Sequence, residues 1–433
     1  MSSAVVTVAR PVCDRKLLRR PPPALSHVSP DVRDDAALNA AIAASLPENY
    51  NFEVHKIVSR LRQTGCSRVG LQFPEGLFVF AVPLLRILEA FAGVEVLVFG
   101  DVTYGACCID DFTARALGCD FLVHFAHSCL IPVTHMLTGL KVMYVFVDIK
   151  FDAWHLVESV KHNFDPSEKL ALASTIQFVT TISGVRRELE SSGYSAVIPQ
   201  IKPLSKGEVL GCTSPKLDPD VQNVVFVADG RFHLEAMQIA NPHITCFHRY
   251  DPYSKKLTRE YYEFEKMIEM RRKAVATAKE SIRAGATIGF LLSSLGRQGS
   301  PRVFNRLRDK ISACNPDCLI INIIVPEIQP ALLNAFGDSV HVWVQVACPR
   351  LSIDWGDGFV SKPLLTPYEL NVALDLVPAA ENFVIHAEYP MDFYAWSSIG
   401  DWTPSHRCGD KCACTGGEAA AADVARNNVL PIK

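Results

Sequence analysis

Two rhythms alternate along the chain beyond about residue 50: short β-branched apolar runs, and longer stretches with apolar positions three and four residues apart. The first predicts buried parallel strands and the second amphipathic helices. Arg68 to Phe73 reads as a strand, followed by Pro74-Glu75-Gly76 and a helix with Leu84, Leu85, Ile87, Leu88 and Phe91 on one face. Gly93 ends that helix. Val94 to Phe99 is the next strand, and a short helix runs from about Phe112 to Leu117 with Asp110 and Asp111 at its start and Gly118 as its stop. Phe121 to Phe125 and Lys141 to Val147 complete a β-α-β-α-β unit with short loops.

The rhythm then repeats. Leu170 to Ser174 opens a second unit, with a helix to about Glu190 and further strands at Ala196 to Pro199 and Val224 to Val227. A long charged helix, about Thr258 to Ala284, separates it from a third unit. That unit has strands at Thr287 to Leu292, Cys318 to Val325 and His341 to Val346. Ser300 is a good N-cap there and Pro301 a good first helical residue. The pattern is an internal triplication: an α/β fold of three similar parallel-sheet domains. The expected divisions are 1–50, 51–155, 156–265, 266–402 and 403–433, the first and last being arms outside the domains.

Each unit carries a cysteine in a loop of its βα pattern: Cys107 beside Cys108, Cys212 within Leu210 to Pro215, and Cys348 within Ala347 to Gly356. Ligands bind at the carboxyl edge of such sheets. If the units pack around a pseudo-threefold axis, the three loops converge on one point. Three thiolates can hold three irons of a [4Fe–4S] cluster and leave the fourth open to a small substrate. Zinc with three cysteines and water is chemically available too, and buried structural thiols are the plainer reading.

Composition narrows the rest. The chain has 433 residues, 49% hydrophobic and 21% charged, enough for a sizeable core; net charge is −3, which gives no bulk electrostatic reason for nucleic-acid binding. No apolar run reaches the roughly 18 residues needed to span a bilayer, and no secretory segment follows the start, so a soluble, cytoplasmic protein is expected. Its 14 cysteines then argue for thiols and metal rather than disulfides. The first 50 residues are Arg- and Pro-rich without clean periodicity, which reads as a disordered basic arm, with a mitochondrial presequence as the alternative. Order is expected to begin near Tyr50.

Several blocks carry a resemblance: Leu71-Gln-Phe-Pro-Glu-Gly-Leu77, Gly100-Asp-Val-Thr-Tyr-Gly-Ala-Cys-Cys108, His127-Ser-Cys-Leu-Ile-Pro132, Gly211-Cys-Thr-Ser-Pro215, Asp229-Gly-Arg-Phe-His-Leu-Glu235, Leu295-Gly-Arg-Gln-Gly-Ser300 and Val346-Ala-Cys-Pro-Arg-Leu-Ser-Ile-Asp-Trp-Gly356. From about Asn51 to Trp402 the sequence resembles the first-step enzymes of diphthamide biosynthesis, in their eukaryotic subunit 1 form. The resemblance implies a [4Fe–4S] cluster held by Cys107, Cys212 and Cys348, with Cys108 excluded. It implies S-adenosylmethionine as co-substrate, cleaved at the bond from sulfur to the γ-carbon. The resulting 3-amino-3-carboxypropyl radical adds to C2 of a histidine of translation elongation factor 2. It also implies a heterodimer with a related subunit 2 and a small electron-donor protein. The alternative is a non-catalytic supporting subunit of the same complex, relaying electrons or presenting the substrate.

Polar residues at the strand ends are candidates to hold S-adenosylmethionine: Gln72, His127, Ser128, Asp229, Arg350 and Asp354, with Arg350 suited to a carboxylate. Each also reads as a satisfied structural polar group. Cys408, Cys412 and Cys414 superficially resemble the three-cysteine loop of standard radical S-adenosylmethionine enzymes, but the last spacing is one residue short. They are expected to be accessory. Cys314 and Cys318 are expected to be a chance pair, and the long helix is expected to offer a flat surface to the partner subunit.

Overall fold

One strand order recurs three times. A computed structural model describes residues 4–5, 28–359, 362–377 and 388–406. Strand β1 (Ala4–Val5) comes first, then helices α1 (Pro30–Arg33) and α2 (Ala36–Ser45), strand β2 (Tyr50–Asn51) and helix α3 (Val54–Thr64). The first sheet follows from β3 (Arg68–Gln72), α4 (Ala81–Ala92), β4 (Glu95–Val98), α5 (Asp111–Ala116), β5 (Phe121–Phe125) and β6 (Lys141–Val145). Its strands are all parallel, in the order β4-β3-β5-β6. Strand β7 (Asp148–Ile149) turns back to pair antiparallel with β2.

The second sheet uses α6 (Ala153–Asn163), β8 (Lys169–Ser174), α7 (Val179–Ser191), β9 (Ser195–Val197), β10 (Asn223–Val227), α8 (Phe232–Ala240), β11 (Cys246–Asp251) and β12 (Lys256–Glu260). Its order is β1-β12-β11-β10-β8-β9, with β12 and β1 antiparallel to their neighbours. The third comprises α9 (Phe264–Arg283), β13 (Ile288–Ser293), α10 (Pro301–Cys314), β14 (Ile320–Val325), α11 (Pro330–Asn334), β15 (Val342–Val346), α12 (Arg350–Phe359), β16 (Leu364–Leu365) and α13 (Pro367–Ala373). It is parallel throughout, in the order β14-β13-β15-β16.

Numbered within its own sheet, each begins 2-1-3-4. That order places a crevice at the carboxyl ends of strands one and three, where the chain switches direction. The chemistry of the three units is less regular than the topology. Cys107 and Cys212 follow the second strand of their sheets, whereas Cys348 follows the third. Each unit does carry its cysteine in a loop that follows a strand, though not after the same strand.

The local signals behind these elements are visible. Gly93 and Gly118 end their helices in the left-handed region, with φ of 68° and 76°. Ser300 caps α10 by accepting from the Val303 N–H, with Pro301 as first helical residue. Two expectations are overturned. Order begins well before Tyr50, because Asp35 caps α2 and Val32 and Leu38 bury into the core beneath α3 and α4. Thr258 lies in β12, so the long helix starts only at Phe264. The apolar stripe of α9, with Met267, Ile268, Val275 and Ile282, joins the core shared by the second and third sheets rather than facing outward. From the same helix the buried Arg271 reaches the Glu369 carboxylate at 2.7 Å and the carbonyls of Ser352 and Leu364, which fixes α12.

Residues 1–3 and 6–27 of the expected N-terminal arm, and the tail with Cys408, Cys412 and Cys414, lie outside the described residues. Among the described residues no helix is long and apolar enough to cross a membrane.

Candidate metal centre

The Cys107 loop leaves β4 and turns through a short helical turn at Ala106–Cys108. Buried Gln72, at the end of neighbouring β3, fixes its far side: the Gln72 amide N–H donates to the Cys108 carbonyl at 2.7 Å, and its Oε1 accepts from the Asp110 N–H at 3.2 Å. Asp110 in turn caps α5 through the Thr113 N–H. The third sheet reaches across here. The Arg297 N–H donates to the Cys107 carbonyl at 2.9 Å, and its guanidinium forks onto the fully buried Asp111 with two bonds of 2.6 Å. Gly296 makes that approach possible, since it has φ of 52° and a β-carbon there would lie 2.3 Å from the Cys108 carbonyl oxygen.

The Cys212 loop closes on itself, the Leu210 N–H donating to the Thr213 carbonyl at 2.9 Å. Thr213 donates to the Asp392 carboxylate at 2.8 Å, and burial raises the pKa of Asp392 to about 6. The fully buried Glu208 accepts from the Ser128 hydroxyl of the first unit and from the Ser205 N–H, so it joins two loops. Gly211 lies flat under Phe232, whose ring would be 2.0 Å from any β-carbon.

The Cys348 loop leaves β15 and enters α12. Gln345 donates to the Cys348 carbonyl at 3.0 Å and to the Ser352 hydroxyl at 2.7 Å. Arg350, only 1% exposed, ties this loop to the previous one. It donates to the carbonyls of Gly211 at 3.0 Å and Phe232 at 2.8 Å, to Glu235 at 2.8 Å and to both oxygens of Asp354. It also lies over the Phe232 ring at 4.3 Å.

These ties draw the three thiols into one another's electrostatic field. The Cys107 thiol is pushed well up by its hydrogen bond with Cys108, by burial, and by the facing Cys108, Cys212 and Cys348. Burial pushes Cys212 up, with Cys348 and Asp392 adding to it; burial also lifts Cys348 to about 11. Cys108 moves the other way because it accepts from Cys107, and it too lies close to Cys348. Tyr394, which donates to the Gln298 carbonyl at 2.5 Å, is raised well above the usual phenol range by burial and by facing all four cysteines. Thiols that raise one another in a buried site are a donor set that a cationic centre would stabilise as thiolates. Among the described residues no three His, Cys, Asp or Glu side chains close on a single ion. Three thiols delivered by three loops and raised by burial and by one another are the kind of donors a [4Fe–4S] cluster takes.

The other expected residues divide. Gln72, His127, Ser128, Arg350 and Asp354 all lie within this network of strand ends and loops. Asp229 is exposed, and its carbonyl accepts from Arg249 at 3.0 Å. Four N–H groups of Arg350 are engaged by protein, so it does not present the free fork expected of a carboxylate clamp. Cys318 donates to the Ile282 carbonyl at 3.3 Å and Cys314 is exposed at the end of α10, away from the centre. Tyr394, Gln345, Glu208, His124 and His233 were not anticipated. Tyr394 stands in an aromatic segment outside the βα rhythm, Gln345 and His124 are single polar residues in apolar runs, and Glu208 and His233 stand in polar loop segments, each a faint signal without its neighbours.

A family model of diphthamide synthesis proteins matches residues 73–384. A human protein named 2-(3-amino-3-carboxypropyl)histidine synthase subunit 1 is 50% identical over 88% of this chain and 83% of its own length. A fission-yeast protein of the same name, from Schizosaccharomyces pombe, is 49% identical over 88% of this chain and 85% of its own. The crystal structure of Dph2 from Pyrococcus horikoshii with a 4Fe-4S cluster aligns with a TM-score of 0.62 at 25% identity, covering 79% of this chain and 93% of that one.

Proposed function

The chain belongs to the diphthamide-synthesis family, and we propose that it is the cluster-carrying, catalytic subunit of the enzyme that makes 2-(3-amino-3-carboxypropyl)histidine, the first step of diphthamide biosynthesis. The observation that carries this reading is the gathering of Cys107, Cys212 and Cys348, from three sheets of one strand order, beneath Tyr394. In it the three units stand around a pseudo-threefold axis and the three thiolates hold a [4Fe–4S] cluster. Such a cluster, when bound, supplies the electron that breaks the sulfur–γ-carbon bond of S-adenosylmethionine at its open iron.

The chain's own residues hold and shield. Gln72 and Gln345 fix the carbonyls of two cysteine loops, and Arg350 fixes the third through Gly211. These are positioning residues. Tyr394, Leu130, Leu204 and Leu210 pack beside Cys107 and keep water from that side. The name borne by the relatives, subunit 1, supports a partner chain, read here as a related subunit 2. The protein substrate in this reading is translation elongation factor 2, in the cytoplasm, and a small protein delivers electrons.

The test is anaerobic. The chain, alone and with its partner, is loaded with iron and sulfide, reduced with dithionite and supplied with S-adenosylmethionine. Products derived from the aminocarboxypropyl group should form, and modified elongation factor should appear when it is added. A chain that holds iron and passes electrons yet depends on the partner's own cluster for cleavage would be the supporting subunit instead.

A further inference from the structure

A line of three side chains runs through the first sheet toward the metal centre. Gln72 starts it. The carbonyl of Cys108 and the N–H of Asp110 bind opposite ends of its amide, so Oε1 has one possible identity. The His124 ring nitrogen Nδ1, 2.9 Å from that oxygen, must carry a proton and donate. Burial, and then the facing His127, hold His124 well below its ordinary range, so the ring is neutral and its Nε2 is a bare acceptor. His127 Nδ1 lies 3.2 Å from that Nε2 and donates to it. The Phe125 backbone also holds this ring through a hydrogen bond, and with Nδ1 carrying the proton the remaining nitrogen of His127, Nε2, is a lone pair.

The loop that carries this ring leads to the centre. His127 stands two residues past β5, and the same loop continues to Leu130, which packs in one cluster with Ala106, Cys107, Leu210 and Tyr394. His127 faces His233, and His233 faces Arg350, which holds the Cys212 loop. The side chain is buried but not sealed, with 8% of its surface open.

The product name carried by the relatives sets a proton balance. A carbon–carbon bond forms at ring carbon 2 of the substrate histidine; the sulfonium sulfur–carbon bond and the C2–H bond break. The sulfur leaves as a neutral thioether, and the electron lent for cleavage returns to the iron–sulfur cluster when the ring regains aromaticity. One proton per turnover remains to be taken up. We infer that Nε2 of His127 accepts that proton, and that Gln72 and His124 are positioning residues which hold it in the accepting tautomer. This rests on the function proposed above. Burial and the facing His233 bring His127 to about 3, so it enters each turnover neutral. Modest basicity suffices, because loss of the C2 proton restores an aromatic ring.

Two experiments test it. The first reads the tautomer without any cluster: nitrogen-15 spectra of the histidine-labelled chain. His127 should show a pyrrole-type Nδ1 and a pyridine-type Nε2, and Gln72→Leu should disturb that assignment. A protonated or pyrrole-type Nε2 in the wild type overturns the inference. The second uses His127→Gln in the loaded complex with its partner and elongation factor. Iron content and S-adenosylmethionine cleavage should stay near wild type, while histidine modification falls at least about 100-fold and is partly restored by added imidazole. A substrate deuterated at ring carbon 2 should now react more slowly than the protiated one, a difference absent in the wild type. Unchanged modification, or loss of cleavage in step with modification, overturns the assignment. A wild type that cleaves nothing defeats the proposed function instead, and the spectra still decide the tautomer.

Discussion

The third strands of the first and third sheets end alike and lead to different chemistry. Two residues past β5 stands His127, and two residues past β15 stands Cys348. His127 is buried and Cys348 half-buried, and a buried glutamine serves each neighbourhood: Gln72 sets the tautomers that reach His127, and Gln345 holds the Cys348 carbonyl. The second sheet offers Asp229 at the same place, but there the side chain is exposed. Strand order supplies an address at the crevice, and the residue found there decides whether the address handles protons, metal or water. An internal repeat in such a chain is a repeat of positions rather than of roles.

The sharpest way to break this comparison is to remove each residue in turn. Cys348→Ala and His127→Ala should both reduce histidine modification to background, but only Cys348→Ala should lose iron. Iron analysis beside a modification assay separates them, and equal iron loss in both would make His127 part of the metal centre.

Arg350 links the third unit to the second, with no counterpart of equal burial at His127. Arg350→Met leaves Glu235 and Asp354 facing each other without a cation. Those two side chains are 23% and 21% exposed, so the cost should sit near the lower end for a broken buried pair, about 3 kcal/mol. Urea unfolding checks it, and a loss below about 1 kcal/mol would mean the network is dispensable.

The two glutamines should behave as a matched pair of smaller effect. Gln345→Ala and Gln72→Ala each leave a buried loop carbonyl without its donor, costing about 1–3 kcal/mol. Cluster loss on air exposure should quicken in both, followed as the decay of iron–sulfur absorption. Quickening in neither would mean that the loops are held from elsewhere.

Smallest of all should be truncation after Trp402. It removes Cys408, Cys412 and Cys414 and should leave core iron and sulfide unchanged.

Much of this was legible in sequence because the strands are buried on both faces, so their apolar runs stand out and their ends point at the loops. The three cysteine loops, the cap at Ser300 and the left-handed stops at Gly93 and Gly118 all follow from local chemistry. Other features depend on partners distant in sequence. Lys256–Glu260 carries charges on a strand next to the sheet's edge, and those charges read as a helix face until β11 is seen beside it. The helix at Ala36–Ser45 is held by burial of Leu38 against a core that its own short length does not announce. Arg350 looked like a free fork because its acceptors, Gly211 and Glu235, lie more than a hundred residues away. The proton line from Gln72 was invisible for the same reason, since Gln72 and His124 are 52 residues apart and belong to neighbouring strands.

The central claim is that Cys107, Cys212 and Cys348, and not Cys108, hold the cluster. Cys108 is the demanding control, because it lies in the same loop, shares a hydrogen bond with Cys107 and approaches Cys348. The most direct measurement is iron per chain together with low-temperature electron paramagnetic resonance of the reduced protein, for the four single alanine variants. Three of them should lose the cluster signal and most of their iron, while Cys108→Ala should keep both. A full signal in Cys212→Ala beside an iron-free Cys108→Ala would contradict the account.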